Sequence, residues 1–182
     1  MFYRQFFKRF FDIVLSFLAL VILSPLILLV ALLVRIKLGK PVLFNQIRPG
    51  KNGKLFVLHK FRTMTNAKDA QGNLLPDDQR LTSFGKFLRS TSLDELPQIW
   101  DIFRGKMSII GPRPQLVKDL VFMNEEQNKR HLVRGGLTGL AQVMGRNNLT
   151  WEERFKYDIE YVKKYSLFLD IKIFFLTIIK VL

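Results

Sequence analysis

Two adjacent carboxylates, Asp94 and Glu95, are the residues of this sequence best suited to chemistry. They stand in the stretch SLDELP, residues 92–97, where the pattern predicts the first turn of a helix. Two neighbouring carboxylates can share one magnesium ion, or one can attack phosphorus while the other holds metal or accepts a proton. A helix start also offers free amides to phosphate oxygens. The pair therefore indicates phosphoryl transfer.

A structural role explains the same two carboxylates. Ser92 and Glu95 match the S-x-x-E capping box, and Asp94 in a first turn favourably meets the positive end of the helix dipole. Both interpretations stay open on this pattern alone.

Cations elsewhere in the chain favour the chemical interpretation. Guanidinium groups in shaped loops suit bidentate capture of phosphate, although each cation taken singly also fits a solvated surface position. The candidate phosphate-binding residues are Lys60, Arg62, Arg89, Arg113 and Arg146. Of these, Arg113 lies in GPRP, residues 111–114, which cannot be regular helix or central strand.

The elements that must position these residues are predicted to form an α+β, mostly helical fold. Two short strands, residues 42–46 and 55–60, flank a proline- and glycine-containing turn and predict a β-hairpin. The remaining periodicity predicts helices at residues 83–89, 93–103, 115–133 and 151–165, with a glycine-rich irregular segment at 135–146. Thr82 and Thr150 can cap the first and the last of these helices, and Gly105 suits a left-handed cap at the end of the second. Residues 168–182 are too charged to span a membrane and suit an amphipathic helix in its interface.

An apolar run at residues 13–34 precedes this domain and is interrupted by Ser24-Pro25. As a helix it would be roughly 33 Å long, enough to cross a bilayer's hydrocarbon core. Cations flank both ends, and such residues prefer the cytoplasmic side. Pro25 removes the amide that would bond the Val21 carbonyl, so a re-entrant helix-break-helix could keep both flanks on one face, with the Ser24 hydroxyl serving a freed carbonyl. A through-span with a proline kink stays open, whereas the run is too long for a signal peptide.

The composition limits the partners and the metal. The net charge is +14, from 29 Lys plus Arg against 15 Asp plus Glu, and calls for an anionic partner. The absence of cysteine excludes disulfides and thiolate metal sites, and two histidines disfavour a zinc site rich in histidine. Any metal would then have oxygen ligands, as magnesium does.

Two other classes of protein share the apolar anchor and the positive charge. A membrane-bound scaffold that holds acidic lipids does not explain Asp94 and Glu95 among the arginines. A membrane-tethered nucleic-acid binder would need a reading helix or a stacking sheet, and neither motif is recognisable. We therefore expect no nucleic-acid partner.

Several motifs occur in a fixed order along the chain. They are HKFRTM at residues 59–64, SLDELPQ at 92–98, MSIIGPRP at 107–114, and LTGLAQ at 137–142 with GR at 145–146. In this order they resemble the bacterial sugar transferase family, the monotopic phosphoglycosyl transferases, in its minimal form. The resemblance covers nearly the whole chain, including the Ser-Pro interruption of the apolar run.

The resemblance implies transfer of a sugar phosphate from a UDP-sugar to polyprenyl phosphate, giving polyprenyl-diphosphate-sugar and UMP with Mg²⁺ as cofactor. It implies Asp94 as the nucleophile that carries a covalent phosphosugar, and Glu95 as metal ligand or proton acceptor. Asp158 would position metal or sugar, although a helix surface charge explains it nearly as well. The candidate magnesium ligands are thus Asp94, Glu95 and Asp158. The resemblance favours a UDP-diacetamido sugar as donor.

The same resemblance implies a place in the cell and a domain organisation. Residues 1–38 would be a re-entrant membrane hairpin, and residues 39–182 a catalytic domain on the cytosolic face of the bacterial inner membrane. Membrane lipids, the UDP-sugar and polyprenyl phosphate are the expected partners, with downstream glycosyltransferases as further candidates. The reaction would be the first membrane step of glycoconjugate assembly.

Overall fold

The computed structural model of the protein describes residues 3–145 and 148–181. Within them the chain forms a mostly helical α+β fold with two small two-stranded sheets, which confirms the predicted class. Arg146, a predicted phosphate-binding residue, lies outside the described residues. The division into domains at residue 38 stays a prediction.

A long apolar helix, α1 (Lys8–Leu38), follows a π-helical turn at Tyr3–Phe7. By length and composition α1 could cross a membrane. The helix runs through Pro25 without interruption, so the two predicted half-helices are one helical element. The Ser24 hydroxyl donates to the Val21 carbonyl at 2.8 Å, the carbonyl that the proline nitrogen cannot serve, as predicted. This bond compensates the backbone hydrogen bond that proline removes.

Both halves of α1 contact the rest of the protein, while its middle faces outward. Near the N-terminus the Arg9 guanidinium donates to the carbonyls of Ile102 and Phe103, each at 2.7 Å. The middle of α1 exposes Ile22 and Leu28. The C-terminal half joins a buried cluster made by Val30, Val34, Phe61 and Leu88.

The predicted β-hairpin is confirmed. Strands β1 (Leu43–Pro49) and β2 (Leu55–Phe61) pair antiparallel, with Asn45 opposite His59. The turn between them contains Asn52 at φ 56° and Gly53 at φ 72°, a left-handed backbone that asparagine and glycine tolerate best. Lys60, a predicted phosphate-binding residue, is the second-last residue of β2.

Three short helices connect the hairpin to the second sheet: α2 (Asp77–Arg80), α3 (Ser83–Ser90) and α4 (Gln98–Phe103). The α3 start is capped as predicted, since the Thr82 hydroxyl accepts from the Gly85 amide. The helix predicted over 93–103 is instead a 3-10 turn, Leu93–Glu95, followed by α4. Gly105, at φ 79°, ends it with the left-handed conformation expected there.

A two-stranded parallel sheet was not predicted. It pairs β3 (Ser108–Ile110) with β4 (Gly136–Thr138), in a segment predicted to be irregular. Strands of three residues carry too little alternation to be recognised from sequence. Gly136 is required because a β-carbon there would lie 2.2 Å from the Gly111 nitrogen.

The single helix predicted over 115–133 is wrong. That segment forms a 3-10 helix at Val117–Phe122, α5 (Glu125–Asn128) and a second 3-10 helix at Lys129–Leu132. Asn124 causes the division, because its side chain caps α5 by accepting from the Gln127 amide.

Three more helices follow within the described residues: α6 (Leu140–Met144), α7 (Trp151–Lys164) and α8 (Leu167–Val181). The capping box predicted at the start of α7 is present, with Thr150 and Glu153 bonded reciprocally. Helix α8 buries Ile173 and exposes other large apolar residues, as a helix in a membrane interface would. Those exposed residues include Phe168, Phe175 and Ile179.

Candidate active site

The segment that bears the two carboxylates does not form the predicted capping box. Ser92 has φ 57° and ψ 15°, whereas a capping residue needs an extended backbone, and its side chain makes no capping hydrogen bond. Glu95, at the end of the 3-10 turn that follows, bonds Lys60 and Arg113 instead of a backbone amide. The structural interpretation of Ser92 and Glu95 as a cap is therefore wrong.

Glu95 is held by two of the predicted phosphate-binding cations. Lys60 of β2 approaches Glu95 Oε1 at 2.7 Å. Arg113 bonds both carboxylate oxygens, with Nη1 3.3 Å from Oε2 and Nη2 bonded to Oε1. Burial by itself raises the pKa of Glu95, but Arg113 and Lys60 outweigh it and lower that pKa to about 2. Glu95 is therefore ionised throughout the physiological range.

Asp94 lies in a different environment one residue away. Its residue surface is 7% exposed, and it accepts no hydrogen bond from the described residues. Burial raises the pKa of the Asp94 carboxyl above its ordinary value, Glu95 adds to that rise, and Lys60, Arg89 and Arg113 oppose it. A buried carboxylate without hydrogen-bond donors is poorly stabilised as an anion, which makes it a better nucleophile than its neighbour.

A cavity of about 530 Å³ opens beside this pair. Ser92 and Glu95 line it, whereas Asp94 lies between them and is not a lining residue. Charged residues from four separate parts of the chain share its wall: Arg89, Glu95, Arg113, Arg154 and Asp158. Its apolar wall is contributed by several elements, including Ile99 of α4 and Phe174 and Ile178 of α8. The volume suits a small ligand with a charged group at one side.

The remaining predicted cations divide into two groups. Arg89 lines the cavity, and its Nε donates to the Thr63 hydroxyl at 3.0 Å. Arg62 does not line the cavity; its guanidinium donates to the carbonyls of Leu38, the last residue of α1, and Lys40, two residues further on. The structure thus brings Lys60, Arg89 and Arg113 together and directs Arg62 to the chain that leaves the apolar helix.

Asp158, on α7, lines the cavity but is engaged by another residue. Its Oδ2 accepts from Arg130 Nη2 at 2.6 Å and from Arg130 Nε at 3.0 Å. Both side chains are almost completely buried, at 3% and 1% exposure. Burial raises the pKa of Asp158, and Arg130 opposes the rise. The helix surface charge considered for Asp158 is therefore wrong.

Three arginines that the sequence did not single out surround the same loop or cavity. Arg130 pairs with Asp158, Arg48 donates to the Pro114 carbonyl at 3.1 Å, and Arg154 lines the cavity while lying over the Trp151 ring. No sequence signal joins Arg130 to Asp158 or Arg48 to Pro114, since the partners are far apart in the chain. Arg154 could have been noticed from its place in the first turn of the capped helix α7.

The donor set for a metal is small. Within residues 3–145 and 148–181, no group of three or more His, Cys, Asp or Glu side chains is placed to hold a metal ion. Magnesium, however, is often held by one or two carboxylates together with substrate phosphates and water. Asp94 and Glu95 fit that mode, although both Glu95 oxygens already bond cations.

The comparisons with known proteins agree with the motifs. A family model described as bacterial sugar transferase matches residues 3–182. EpsL of Bacillus subtilis (strain 168), an uncharacterized sugar transferase, is 49% identical over 96% of this chain and 87% of its own length. A UDP-glucose:undecaprenyl-phosphate glucose-1-phosphate transferase of Klebsiella pneumoniae is 42% identical over 96% of this chain. The galactosyl transferase CpsE of Streptococcus agalactiae serotype III (strain NEM316) is 39% identical over 94% of it. The chain spans only 40% and 41% of the length of these last two relatives.

Proposed function

Because this chain belongs to the bacterial sugar transferase family, we propose that it transfers a sugar phosphate from a UDP-sugar to polyprenyl phosphate. The observation that carries the proposal is the contrast between Asp94 and Glu95. One carboxylate is buried without a hydrogen-bond donor among the described residues, and its neighbour is neutralised by Lys60 and Arg113. This arrangement supplies a nucleophile next to cations that can receive phosphate.

In the first step an Asp94 oxygen attacks the phosphorus attached to the sugar. A bond forms between that oxygen and phosphorus, and the bond from phosphorus to the bridging oxygen breaks, so UMP leaves with the electron pair. In the second step a phosphate oxygen of polyprenyl phosphate attacks the same phosphorus and the Asp94 carboxylate leaves. The products are UMP and polyprenyl-diphosphate-sugar, and the enzyme is regenerated.

The chief obstacle is repulsion between a carboxylate and an anionic diphosphate, which cations must offset. Arg113 lies beside Glu95 with 43% of its side chain exposed, so it can bond a substrate phosphate without leaving the cavity wall. Arg89 lines the same wall, and Lys60 stays within reach of Glu95. These three cations stabilise the negative charge that develops on the departing UMP.

Mg²⁺ would be held by Asp94 or Glu95 and by the substrate phosphates. When bound it would supply further neutralisation of the diphosphate. The paired cations limit what Glu95 can give to a metal, because its oxygens already accept from Lys60 and Arg113. Glu95 Oε2 accepts only from Arg113 Nη1, at 3.3 Å, so it is the oxygen that would keep acceptor capacity for a metal.

The donor sugar is proposed to be a hexose. The relatives whose names state a sugar are glucose-1-phosphate or galactosyl transferases, which favours UDP-glucose or UDP-galactose over the UDP-diacetamido sugar expected from the motifs. Several of these relatives are more than twice as long as this chain. A panel of UDP-sugars that includes a diacetamido sugar decides between the two expectations.

The proposal is tested with detergent-solubilised protein, one UDP-sugar, polyprenyl phosphate and magnesium, with UMP release as the readout. We expect UMP release that depends on protein and on metal and that reaches many turnovers only when polyprenyl phosphate is present. Without the acceptor, at most about one UMP per enzyme should appear, because the phosphosugar stays on Asp94. Absence of UMP release with every UDP-sugar in the panel would exclude the proposed activity.

We also propose that α1 turns at Ser24-Pro25 and returns to the same membrane face. Arg9 and the Val30 cluster would be about 31 Å apart along a straight helix. Yet Arg9 bonds the carbonyls of Ile102 and Phe103. Leu96 packs on the Val30 cluster and lies only about 9 Å from Ile102 along the helical residues between them. Contacts of both halves with one short segment support a bend, and the exposed apolar middle supports insertion into lipid.

The turn is tested by labelling single cysteines at positions 2 and 40 in intact cells, using the cysteine-free chain as background. We expect both positions to be protected from an impermeant outside reagent and labelled after permeabilisation. Labelling of the two from opposite sides would show a through-span. Replacing Ser24-Pro25 with Ala-Leu should favour that through-span and reduce activity on membrane-embedded acceptor.

A further inference from the structure

The loop that carries Arg113 is held by its carbonyl groups. Two prolines flank Arg113, so neither neighbouring residue has an amide to donate. The carbonyl of Arg113 accepts from Arg130 Nη2 at 2.7 Å, and the carbonyl of Pro114 accepts from Arg48 Nη1 at 3.1 Å. The Pro112 carbonyl accepts from the Gly136 amide at 3.0 Å. Side chains from distant parts of the chain therefore fix the course of this loop.

Arg130 is in turn fixed by Asp158. Its Nη2 bonds both the Arg113 carbonyl and Asp158 Oδ2, and its Nε bonds the same carboxylate oxygen. The Phe155 ring lies 5.8 Å from the guanidinium carbon and closes one side. Both charges are almost fully buried. If Arg130 left this position, the Asp158 carboxylate would remain buried without its partner, which is strongly unfavourable.

We infer that Asp158 and Arg130 are positioning residues for Arg113, and that Asp158 acts through Arg130 rather than on metal or sugar. This inference rests on the proposed function, in which Arg113 binds the phosphate of the nucleotide sugar. The Asp158 oxygen that bonds Arg130 at 2.6 Å is committed to that guanidinium. The link from α7 to the cavity wall thus runs from carboxylate to guanidinium to main-chain carbonyl.

The consequence for the reaction is a requirement for accurate placement. Arg130 holds the Arg113 carbonyl while the Arg113 side chain bonds Glu95, so the backbone position and the side-chain contact are linked. Displacement of a binding group by about 1 Å can cost up to about 10²-fold in rate. Loss of Asp158 should therefore weaken use of the nucleotide sugar through Arg113, and only through Arg113.

The test compares Asp158→Asn with Glu160→Gln, a matched carboxylate-to-amide change on the same helix. Glu160 pairs with Lys164 on the surface and does not line the cavity. With UDP-glucose, or the best donor of the panel, we expect Asp158→Asn to raise KM about 10-fold with little change in kcat, and Glu160→Gln to leave both unchanged. Arg130→Lys keeps the charge but cannot bond Asp158 and the Arg113 carbonyl with the same geometry, so it should raise KM by a smaller factor.

The decisive measurement is made in the Arg113→Ala background. If Asp158 acts through Arg113, Asp158→Asn adds less than about 2-fold to the loss already caused by Arg113→Ala. A full additional 10-fold loss would overturn the inference. So would a large rise in the apparent Kd for Mn²⁺, measured by electron paramagnetic resonance without turnover, since that result would make Asp158 a metal ligand.

A substrate-free readout separates this inference from the proposed function. Hydrogen–deuterium exchange of the free protein should increase in the peptide that contains residues 111–116 for Asp158→Asn, and should not change for Glu160→Gln. If the wild-type protein releases no UMP from any donor, the proposed function fails, and the exchange result still decides whether Asp158 holds the loop. Should Asp158→Asn fail to fold, the paired change Asp158→Leu with Arg130→Met keeps a filled interior and is measured in its place. Unchanged exchange in whichever of these variants folds would overturn the positioning role.

Discussion

Two carboxylate–arginine pairs, each with its carboxylate in the wall of the same cavity, differ in their access to solvent. Glu95 and Arg113 are 15% and 43% exposed, whereas Asp158 and Arg130 are 3% and 1% exposed. The first pair can exchange one partner for a substrate phosphate, because water and ligand reach it. The second pair cannot open without leaving a buried charge unpaired. The comparison teaches that pairs of the same residue types can serve binding in one place and placement in another.

The largest loss of activity is expected from a change at Asp94, the proposed nucleophile beside the Glu95–Arg113 pair. Asp94→Asn should lower UMP release by at least about 10³-fold, because an amide cannot form the phosphosugar adduct. Mass spectrometry of the protein incubated with donor alone should show the covalent adduct in wild type and none in the variant. Asp77→Asn serves as the control, because Asp77 is an exposed carboxylate that does not line the cavity. An Asp94→Asn protein with ordinary turnover would remove Asp94 from the nucleophile role.

The two arginines should differ next in their effect on stability. Arg130→Met should lower the free energy of unfolding by about 3–5 kcal/mol, because it leaves Asp158 buried without a partner. Arg113→Met should cost less than this, because Glu95 keeps Lys60 as a partner and is more exposed than Asp158. Thermal unfolding of both variants in the same detergent measures the difference. Equal losses would mean that exposure does not separate the two pairs.

Removal of the charge from Glu95 tests whether the Glu95–Arg113 pair acts in the reaction. Glu95→Gln should lower kcat/KM by about 10–10²-fold, because Lys60 and Arg113 lose the group that orients them. Steady-state kinetics against Glu160→Gln decide the matter, and near-normal turnover would contradict a charged role for Glu95.

The smallest expected effect is a displacement of the pH profile. Asp94 must be ionised to attack, and burial raises its pKa above the ordinary carboxyl value. The activity should therefore fall as the pH is lowered through this raised pKa. Glu95, with a pKa of about 2, stays ionised there and does not contribute to the fall. Lys60 lowers the pKa of Asp94, so Lys60→Met should move the acid limb of kcat/KM to higher pH. A limb that stays in place would mean that another group titrates.

Sequence patterns succeeded where the determining contacts are local. The caps that were confirmed join residues three apart, as Thr82 and Gly85 or Thr150 and Glu153 do. The Ser24 hydroxyl found the Val21 carbonyl for the same reason. The failure at the site has the opposite feature. Ser92 and Glu95 have a capping pattern, but Lys60 and Arg113, 35 and 18 residues from Glu95, outcompete the local bond.

The sequence by itself determined the apolar helix, the hairpin, the family and the residue types of the site, because each is specified by composition or by an ordered motif along the chain. Only the tertiary structure decided which cations meet Glu95, that Arg62 serves the end of α1, and that Asp158 is committed to Arg130. Those outcomes depend on burial. An ion pair removed from water must find its partner in space, and the sequence holds no local record of a partner that folding brings from another element.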